Sequence, residues 1–261
     1  MSHADAPEQQ TSDRFDAWIE ALERRHLADL TLPEVRRGLQ ALSGRYVERR
    51  AGLASGAALD GAGKRAAFAL FYAPLHYLTV AHVARGLDAG ERSPRRLIDL
   101  GCGSGVGCAG WAAAHYPTPR LIGVDRNAWA LDEARWNWDR LGLRGSARRG
   151  DLVRRVEARP GDGLLLAYAV NELDASQRDA LGRRLLELTR EGTRLLVVEP
   201  IARRLTPWWD AWCAPLLDVP GSRRDEWRLE VELPGVLRTL ARAAGLRGEQ
   251  ITARSLYVAA G

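Results

Sequence analysis

Apolar residues recur at helical spacing between residues 14 and 50, with arginine and glutamate at the intervening positions. The first apolar positions of this stretch are Phe15, Trp18, Ile19, Leu22 and Leu27. Spacings of three and four residues place such side chains on one face of a helix. The pattern therefore predicts an amphipathic helical region at the start of the chain.

A second apolar stretch covers residues 66–87, after a Gly- and Ala-rich break at residues 51–65 that predicts a loop. This stretch approaches membrane-spanning length, but no charged flanks typical of membrane topology accompany it. Polar residues and a proline interrupt it, namely Pro74, His76, Tyr77, Thr79 and His82. We therefore expect a buried helix and no contact with a membrane.

From residue 95 onward, short apolar runs alternate with stretches of helical periodicity. The runs read RRLIDL, RLIGVD, SARRGD, GLLLAYAV, TRLLVVEP and EQITARSLYVAA. This alternation is typical of a mostly parallel sheet with crossover helices. We predict an α/β protein with a Rossmann-like domain over residues 95–261, preceded by an N-terminal helical extension over residues 1–94.

Composition indicates an ordinary globular protein. The chain has 261 residues, of which 46% are hydrophobic and 27% charged. Cys102, Cys108 and Cys213 form no CxxC pair and no cluster with histidine, so neither a metal site nor a disulfide framework is expected. The first twenty residues show no signal or transit pattern, and we expect a cytoplasmic protein.

The net charge of +5 raises the question of a nucleic-acid partner. Lys64 is the single lysine, against 37 arginines (38 minus 1), which indicates a compositional bias. Five arginines cluster around the predicted third strand, namely Arg144, Arg148, Arg149, Arg154 and Arg155. They would either contact phosphates or form a charged face exposed to solvent. Both interpretations stay open.

The run RRLIDL ends in a loop in which Gly101, Gly103 and Gly105 alternate with other residues. A glycine loop lets a ligand lie against the backbone at the start of the next helix. A dinucleotide fingerprint GxGxxG fits only in a register that begins at Gly105 and falls inside that helix. Asp99 at the strand tip would repel a pyrophosphate but attract an ammonium and a sulfonium group. S-adenosylmethionine carries both, and we predict that the loop binds it.

This loop resembles motif I of the class I S-adenosylmethionine-dependent methyltransferases, with Asp99, Gly101, Gly103 and Gly105 at the motif positions and Cys102 between them. The resemblance implies that these residues bind the cofactor. Cys102 and Cys108 would also serve as small packing residues. The predicted activity is methyl transfer.

Two further acids follow the predicted second and third strands. Asp125 ends RLIGVD, where a carboxylate can accept hydrogen bonds from both ribose hydroxyls. Asp151 lies where the resembling family commonly uses an acid to hold the adenine amino group, although a helix cap would explain it as well. Leu152 or Arg126 would then pack on the adenine ring.

Chemistry is expected at the tip of the fourth strand, which reads AYAVNELD. Asn171 and Glu172 are the candidate catalytic residues here, but Asn171 lacks the Pro-Pro-aromatic sequence typical of amino-directed base methyltransferases. A cysteine nucleophile of the cytosine-C5 type is absent from this strand. Glu172 would orient an acceptor or take its proton, or else satisfy backbone donors of the following helix.

Two aromatic segments outside the predicted sheet have both a functional and a packing interpretation. His76, in the helix before the sheet, would close over the methionine end of the cofactor or simply be a buried histidine. The segment LTPWWDAWCAPLL after the fifth strand contains Trp208, Trp209 and Trp212. These rings would stack on a planar acceptor or pack a lid helix.

Several segments together resemble the mitoribosomal small-subunit methyltransferase-like family and its bacterial relatives. They are ALSGRYVERR, FALFYAPLHYLTVAHVARGL, LIDLGCGSG, AYAVNELD and LLVVEP. The resemblance implies a role at the small ribosomal subunit. Members of that family can carry metal-binding cysteines near the C-terminal region, but only Cys213 stands there, so no metal cluster is implied for this chain.

Three functions follow from these observations. The first is a methyltransferase that acts on ribosomal RNA or another part of the small ribosomal subunit. The second is a small-molecule methyltransferase, in which the helical extension and the tryptophan segment enclose an apolar pocket. The third is a ribosome assembly factor that binds S-adenosylmethionine without turnover.

Overall fold

The computed structural model describes residues 5–48, 59–90, 93–154, 156–201, 203–204, 206–231, 233–243 and 250–259. The first four helices precede the sheet and are α1 (Asp5–His26), α2 (Leu32–Glu48), α3 (Ala62–Ala67) and α4 (Ala73–Gly86). The strands are β1 (Arg96–Leu100), β2 (Arg120–Asp125), β3 (Gly145–Arg149), β4 (Gly163–Ala167), β5 (Arg194–Glu199), β6 (Ser222–Glu230) and β7 (Gln250–Val258). The remaining helices are α5 (Val106–Ala112), α6 (Ala128–Arg140), α7 (Ala175–Arg190), α8 (Trp209–Leu217) and α9 (Gly235–Ala243).

The strands form one seven-stranded sheet in the order β3-β2-β1-β4-β5-β7-β6. The first five strands are parallel, whereas β7 runs antiparallel to both β5 and β6. Strand order reverses between β1 and β4, and in open parallel sheets this switch point opens a crevice for ligands. The Rossmann-like α/β fold predicted from the sequence is confirmed.

The edge strand β6 was not predicted. Its sequence, SRRDEWRLE, is mostly charged, and among its nine residues only Leu229 is fully buried. An edge strand needs no apolar alternation to be held in place, because backbone hydrogen bonds to β7 fix its register. Charged side chains also protect such an edge from pairing with other chains.

One continuous helix, Ala62–Gly86, lies directly before the sheet and includes a π-helical segment at Phe68–Tyr72. It is the one helix among the described residues that is long and apolar enough to cross a membrane, with a mean hydropathy of 1.3 over its most apolar 18 residues. However, 67% of these 18 residues are buried inside the protein. The prediction of a buried helix agrees with this placement. Most of the predicted loop at residues 51–65 lies outside the described residues.

The helices before the sheet pack on its helical layer. Gly110 of α5 lies so close to α4 that a β-carbon there would come within 2.5 Å of the Tyr77 carbonyl oxygen. Trp18 of α1 is buried and donates a hydrogen bond of 2.8 Å from its indole nitrogen to Asn137 of α6. His26 contacts the buried Glu133 carboxylate at 2.7 Å. These contacts hold the N-terminal helices beside the glycine loop.

Candidate active site

A cavity of about 410 Å³ opens at the carboxyl ends of β1, β2 and β4. One wall is the glycine loop with Asp99 and Asp125, and the opposite wall comes from the helix before the sheet. The lining side chains that carry the chemistry are Phe68, His76, Asp99, Ser104, Asp125, Arg126, Tyr168 and Glu172. The parallel sheet brings these segments together although they are up to about a hundred residues apart in sequence.

The glycine loop has its backbone turned back on the strand. The amides of Gly101 and Cys102 both donate to the Val124 carbonyl, at 2.8 and 3.1 Å. Gly103 has a φ of 50°, and a β-carbon built on it would meet only the Phe68 ring, at 3.8 Å. Gly105, in contrast, abuts the Trp138 indole, which a β-carbon would approach within 2.7 Å. Gly103 therefore faces the cavity, whereas Gly105 is required for packing and does not line it.

Asp125 is held rigidly at the tip of β2. Its two carboxylate oxygens accept hydrogen bonds from the amides of Gly103 and Asn127, both at 2.8 Å. Each oxygen keeps a second lone pair for a ligand, because a carboxylate accepts about four hydrogen bonds in total. The side chain can thus accept hydrogen bonds from two neighbouring hydroxyls in the cavity.

Asp99 lies deeper in the same wall and is buried. It accepts a hydrogen bond of 3.2 Å from the amide of Cys108. Burial raises the pKa of Asp99 to about 7, with a smaller contribution from the charge of Asp125. A positively charged ligand group would favour the ionised form of both acids.

The residues of this wall fit S-adenosylmethionine. The hydroxyl of Ser104 is buried in the loop and has no hydrogen-bond partner within the described parts of the chain, and Ser104 lines the cavity. Gly103 leaves a cradle that a side chain would fill, and two carboxylates supply negative charge for an ammonium and a sulfonium group. S-adenosylmethionine would use the Ser104 hydroxyl, the space beside Gly103 and the carboxylates of Asp99 and Asp125.

The far side of the cavity is formed by Arg126, Arg149, Gly150 and Leu152. Asp151 does not line the cavity. Its carboxylate accepts hydrogen bonds from the amides of Val153 and Arg154, at 2.8 and 3.3 Å, and pairs with the Arg126 guanidinium. These bonds close a turn, and no helix begins there among the described residues, so the helix cap considered from the sequence is wrong. The adenine-binding role of Asp151 stays a prediction. Leu152 and Arg126 lie where they can pack on a flat ring.

The other end of the cavity has an aromatic wall. The rings of His76 and Tyr168 are stacked, with centroids 4.0 Å apart and planes 18° apart. Phe68 meets His76 edge-on at 6.2 Å. Enclosure by these groups lowers the pKa of His76 to about 3, so the imidazole is neutral at physiological pH. Tyr168, which the sequence did not single out, has a left-handed backbone with a φ of 59°.

Glu172 also lines the cavity, from a short 3-10 turn after β4 (Val170–Glu172). Burial raises its pKa to about 7, and the charges of Glu199 and Asp125 act in the same direction. The backbone-capping role considered for Glu172 belongs instead to Asp174, which forms a capping box with Gln177 at the start of α7. Glu172 is therefore not used as a helix cap.

Asn171 does not line the cavity. Its side-chain amide and its backbone amide both donate to the Glu199 carboxylate, and the amide of Val170 donates there at 2.9 Å. Glu199 is fully buried, and burial raises its pKa to about 7. This residue was missed as a functional candidate, although its place at the end of the apolar run TRLLVVEP is the same signal that identified Asp99 and Asp125.

The tryptophan segment lies away from the cavity, and of the predicted arginine cluster Arg149 is the member that lines it among the described residues. Trp209 and Trp212 are buried against α7 and the sheet, and the Trp212 indole donates to the Arg178 carbonyl at 2.9 Å. These rings, with Trp208, do not line the cavity, so their stacking on an acceptor there is wrong and the packing interpretation holds. Arg148 is paired with Glu157 at 3.2 Å, and Arg155 lies outside the described residues.

No group of three or more metal-binding side chains occurs within the described parts of the chain. The cysteines that the structure describes, Cys102, Cys108 and Cys213, are free and buried. Cys102 lines the cavity, whereas Cys108 packs behind the loop. Burial raises the pKa of both thiols, which leaves them protonated.

Comparison with known proteins agrees with this geometry. Residues 84–169 match the family model of the methyltransferase small domain. A trans-aconitate 2-methyltransferase of Pseudomonas paraeruginosa (strain PA7) is 35% identical over 131 residues, which are 50% of this chain and 43% of that protein. The enzyme of the same name from Pseudomonas aeruginosa (strain PAO1) is 33% identical over 130 residues, 49% of this chain and 42% of its own. The matches thus span less than half the length of these curated relatives.

Among solved structures, the plantazolicin methyltransferase BpumL, crystallised with a substrate analogue and S-adenosylhomocysteine, has the same fold. The TM-score is 0.50 at 9% identity, over 92% of this chain and 100% of that one. At this identity the likeness concerns the fold alone. Together with the glycine loop and its paired acids, the matches identify residues 84–169 as part of a class I methyltransferase domain whose cofactor is S-adenosylmethionine.

Proposed function

We propose that this protein methylates a small molecule at a nitrogen or oxygen that loses a proton, with Glu172 as the proton acceptor. The observation that carries the proposal is the position of Glu172 in the wall of the cavity, which the stacked rings of His76 and Tyr168 also line. A carboxyl group with a pKa near 7 takes up a proton readily at physiological pH. The aromatic wall suits an acceptor with an apolar body.

Charge supports a neutral or cationic acceptor. Glu172, Asp99 and Asp125 face the cavity, and the arginines that line it, Arg126 and Arg149, lie beside Leu152 at the other end. Trans-aconitate, the compound in the names of the two relatives, bears three carboxylates. Such an anion would meet like charge from the three acids that line the cavity. We therefore assign this chain an acceptor class different from that compound.

The residues have separate tasks in this reaction. When bound, S-adenosylmethionine supplies an electrophilic methyl group on a sulfonium. Ser104, Asp99 and Asp125 would hold it along the glycine loop. His76, Tyr168 and Phe68 would position the acceptor and exclude water, which is the main requirement of an in-line methyl transfer. Glu172 would take the proton that the acceptor loses as its new bond to carbon forms.

An RNA or ribosomal substrate is the runner-up, as the sequence resemblance implied. A continuous basic surface next to the cavity would favour it. Two arginines near the adenine end are instead paired with acids, Arg126 with Asp151 and Arg148 with Glu157. The charge left for phosphates is thereby reduced, which supports the small-molecule acceptor. A ribosome assembly factor without turnover and the cytoplasmic location stay predictions.

The test uses the purified chain with labelled S-adenosylmethionine and an extract of source cells that lack its gene. We expect label in a fraction that resists ribonuclease and extracts into organic solvent. Label destroyed by ribonuclease would instead establish an RNA substrate. Glu172→Gln serves as the control for the chemical step, and it is expected to bind the cofactor normally. Cofactor binding without transfer to any fraction would indicate the non-catalytic role.

A further inference from the structure

A second cavity, of about 420 Å³, lies between α8 and the antiparallel strands β6 and β7. It shares no lining residue with the cofactor cavity. Its lining includes the arginines Arg203, Arg224 and Arg254, together with Thr206, Pro207 and Trp209. Neither the family match at residues 84–169 nor the proposed methyl transfer uses this region.

Arg254 is the unusual member of this set because it is only 4% exposed. Its guanidinium stacks on the Trp209 ring, with the carbon 4.2 Å from the ring centroid. Its Nε and Nη2 atoms are buried and have no hydrogen-bond partner among the described residues. Buried donors without partners are rare in folded proteins and are commonly satisfied by a ligand or water.

The two unpartnered atoms form the edge of the guanidinium that binds a carboxylate with both oxygens. The same edge is used elsewhere in this molecule. Arg223 donates from Nε and Nη2 to the two oxygens of Asp225, at 2.8 and 2.6 Å, and Arg96 does so to Asp162. Such side-on pairs are the strong geometry for arginine and a carboxylate. Arg254 offers this edge without a carboxylate in place.

Three acids also line the cavity, and each is paired with an arginine other than Arg254. Asp210 pairs with Arg224, and Glu226 pairs with Arg203. Asp225 pairs with Arg223. Glu199 lies across from Arg254 on the neighbouring strand, but its oxygens accept the hydrogen bonds of Val170 and Asn171, and no ion pair joins it to Arg254. Among the described residues, Arg254 is therefore the cavity arginine that forms no ion pair, although the charges of Glu199 and other nearby acids act on it.

We propose that this cavity binds a small organic carboxylate, held side-on by Arg254 with its apolar body against Trp209 and Pro207. The carboxylate would supply the acceptor oxygens that Nε and Nη2 lack. The Trp209 ring and the Pro207 side chain favour an organic anion over an inorganic one. Arg224 at the rim is paired with Asp210 and would add a second free cation when that pair is broken.

Isothermal titration calorimetry on the full chain tests this site with benzoate, acetate and inorganic phosphate as probes. We expect benzoate to bind at least about tenfold more tightly than phosphate, with acetate between them. Arg254→Met is expected to weaken benzoate binding by at least about tenfold. Arg228→Met is the matched control, because Arg228 is exposed on β6, does not line the cavity, and its loss changes the net charge equally.

A second variant keeps the test decisive if Arg254→Met does not fold, as judged by circular dichroism. Asp210 is exposed, and Asp210→Asn removes a negative charge and frees Arg224. Benzoate should then bind about threefold more tightly. Absence of benzoate binding, equal binding of phosphate, or an unchanged affinity in Asp210→Asn would each overturn the proposal. The assay requires no methyl transfer, so its failure is distinct from failure of the proposed function.

Discussion

The rings of His76 and Tyr168 lie face to face with their centroids 4.0 Å apart, although His76 belongs to α4 and Tyr168 follows β4. The stack joins the helix before the sheet to the tip of the central strand. Tyr168 adopts a left-handed backbone there, a conformation that costs about 1 to 3 kcal/mol for a residue with a side chain. The packing of the aromatic wall holds Tyr168 in this conformation.

This stack predicts that His76 acts through its shape and not through its proton. His76→Phe keeps a flat ring and should leave kcat within about threefold of the original value, whereas a lost general base costs about 10²-fold or more. His76→Ala removes the stack and should raise KM for the acceptor. Steady-state kinetics of both variants check this, and a large drop in kcat for the phenylalanine variant would make His76 the base.

Glu172 is predicted to set the pH dependence of the reaction. Its pKa is raised to about 7, so the ionised form that accepts a proton predominates above pH 7 and is lost as the pH falls through 7. We expect kcat to fall about tenfold for each pH unit below this value. Glu172→Gln should lower kcat by about 10²-fold to 10⁴-fold and abolish this limb of the profile.

Calorimetric titration of the Glu172 variant separates binding from chemistry. Its affinity for S-adenosylmethionine should stay close to that of the unaltered protein. A normal rate in Glu172→Gln would remove Glu172 from the mechanism.

Asp125→Ala is predicted to weaken binding of S-adenosylmethionine at least tenfold. The ribose hydroxyls would lose hydrogen bonds to a charged group, each worth about 1.5 to 3 kcal/mol. Calorimetry measures the affinity directly. Asp132→Ala is the control, since Asp132 is exposed on the next helix and does not line the cavity. Equal affinities in the two variants would contradict the ribose-binding role of Asp125.

The two glycines of the loop should respond differently to a larger side chain. Gly103→Val fills the cradle and should abolish cofactor binding, while the backbone strain costs about 1 kcal/mol of stability. Gly105→Ala drives a β-carbon into Trp138 and should destabilise the fold by about 2 to 4 kcal/mol. Calorimetry and thermal denaturation followed by circular dichroism measure the two effects. A Gly103→Val protein that folds and binds normally would refute the loop assignment.

Local sequence pattern was sufficient for six of the seven strands of the sheet and for one wall of the site. Apolar runs identified β1, β2, β4, β5 and β7, and the weaker run SARRGD identified β3. The acids at the ends of β1 and β2 marked the cavity edge, because parallel strands end at the same side of a sheet. The same reasoning applied to Glu199 would have found the carboxylate that holds Asn171. The edge strand β6 was not predicted because its charged sequence has no regular spacing of apolar residues.

The sequence by itself determined the order of the strands' apolar runs, the glycine loop and the acids Asp99 and Asp125, since these depend on neighbours within a few residues. Tertiary structure alone decided the His76–Tyr168 stack, the hydrogen bond from Asn171 to Glu199, and the burial of Arg254 against Trp209. Each of these contacts joins residues that are distant in the chain. Such pairs meet only when helices and strands pack, and no local periodicity records which side chains will then face each other.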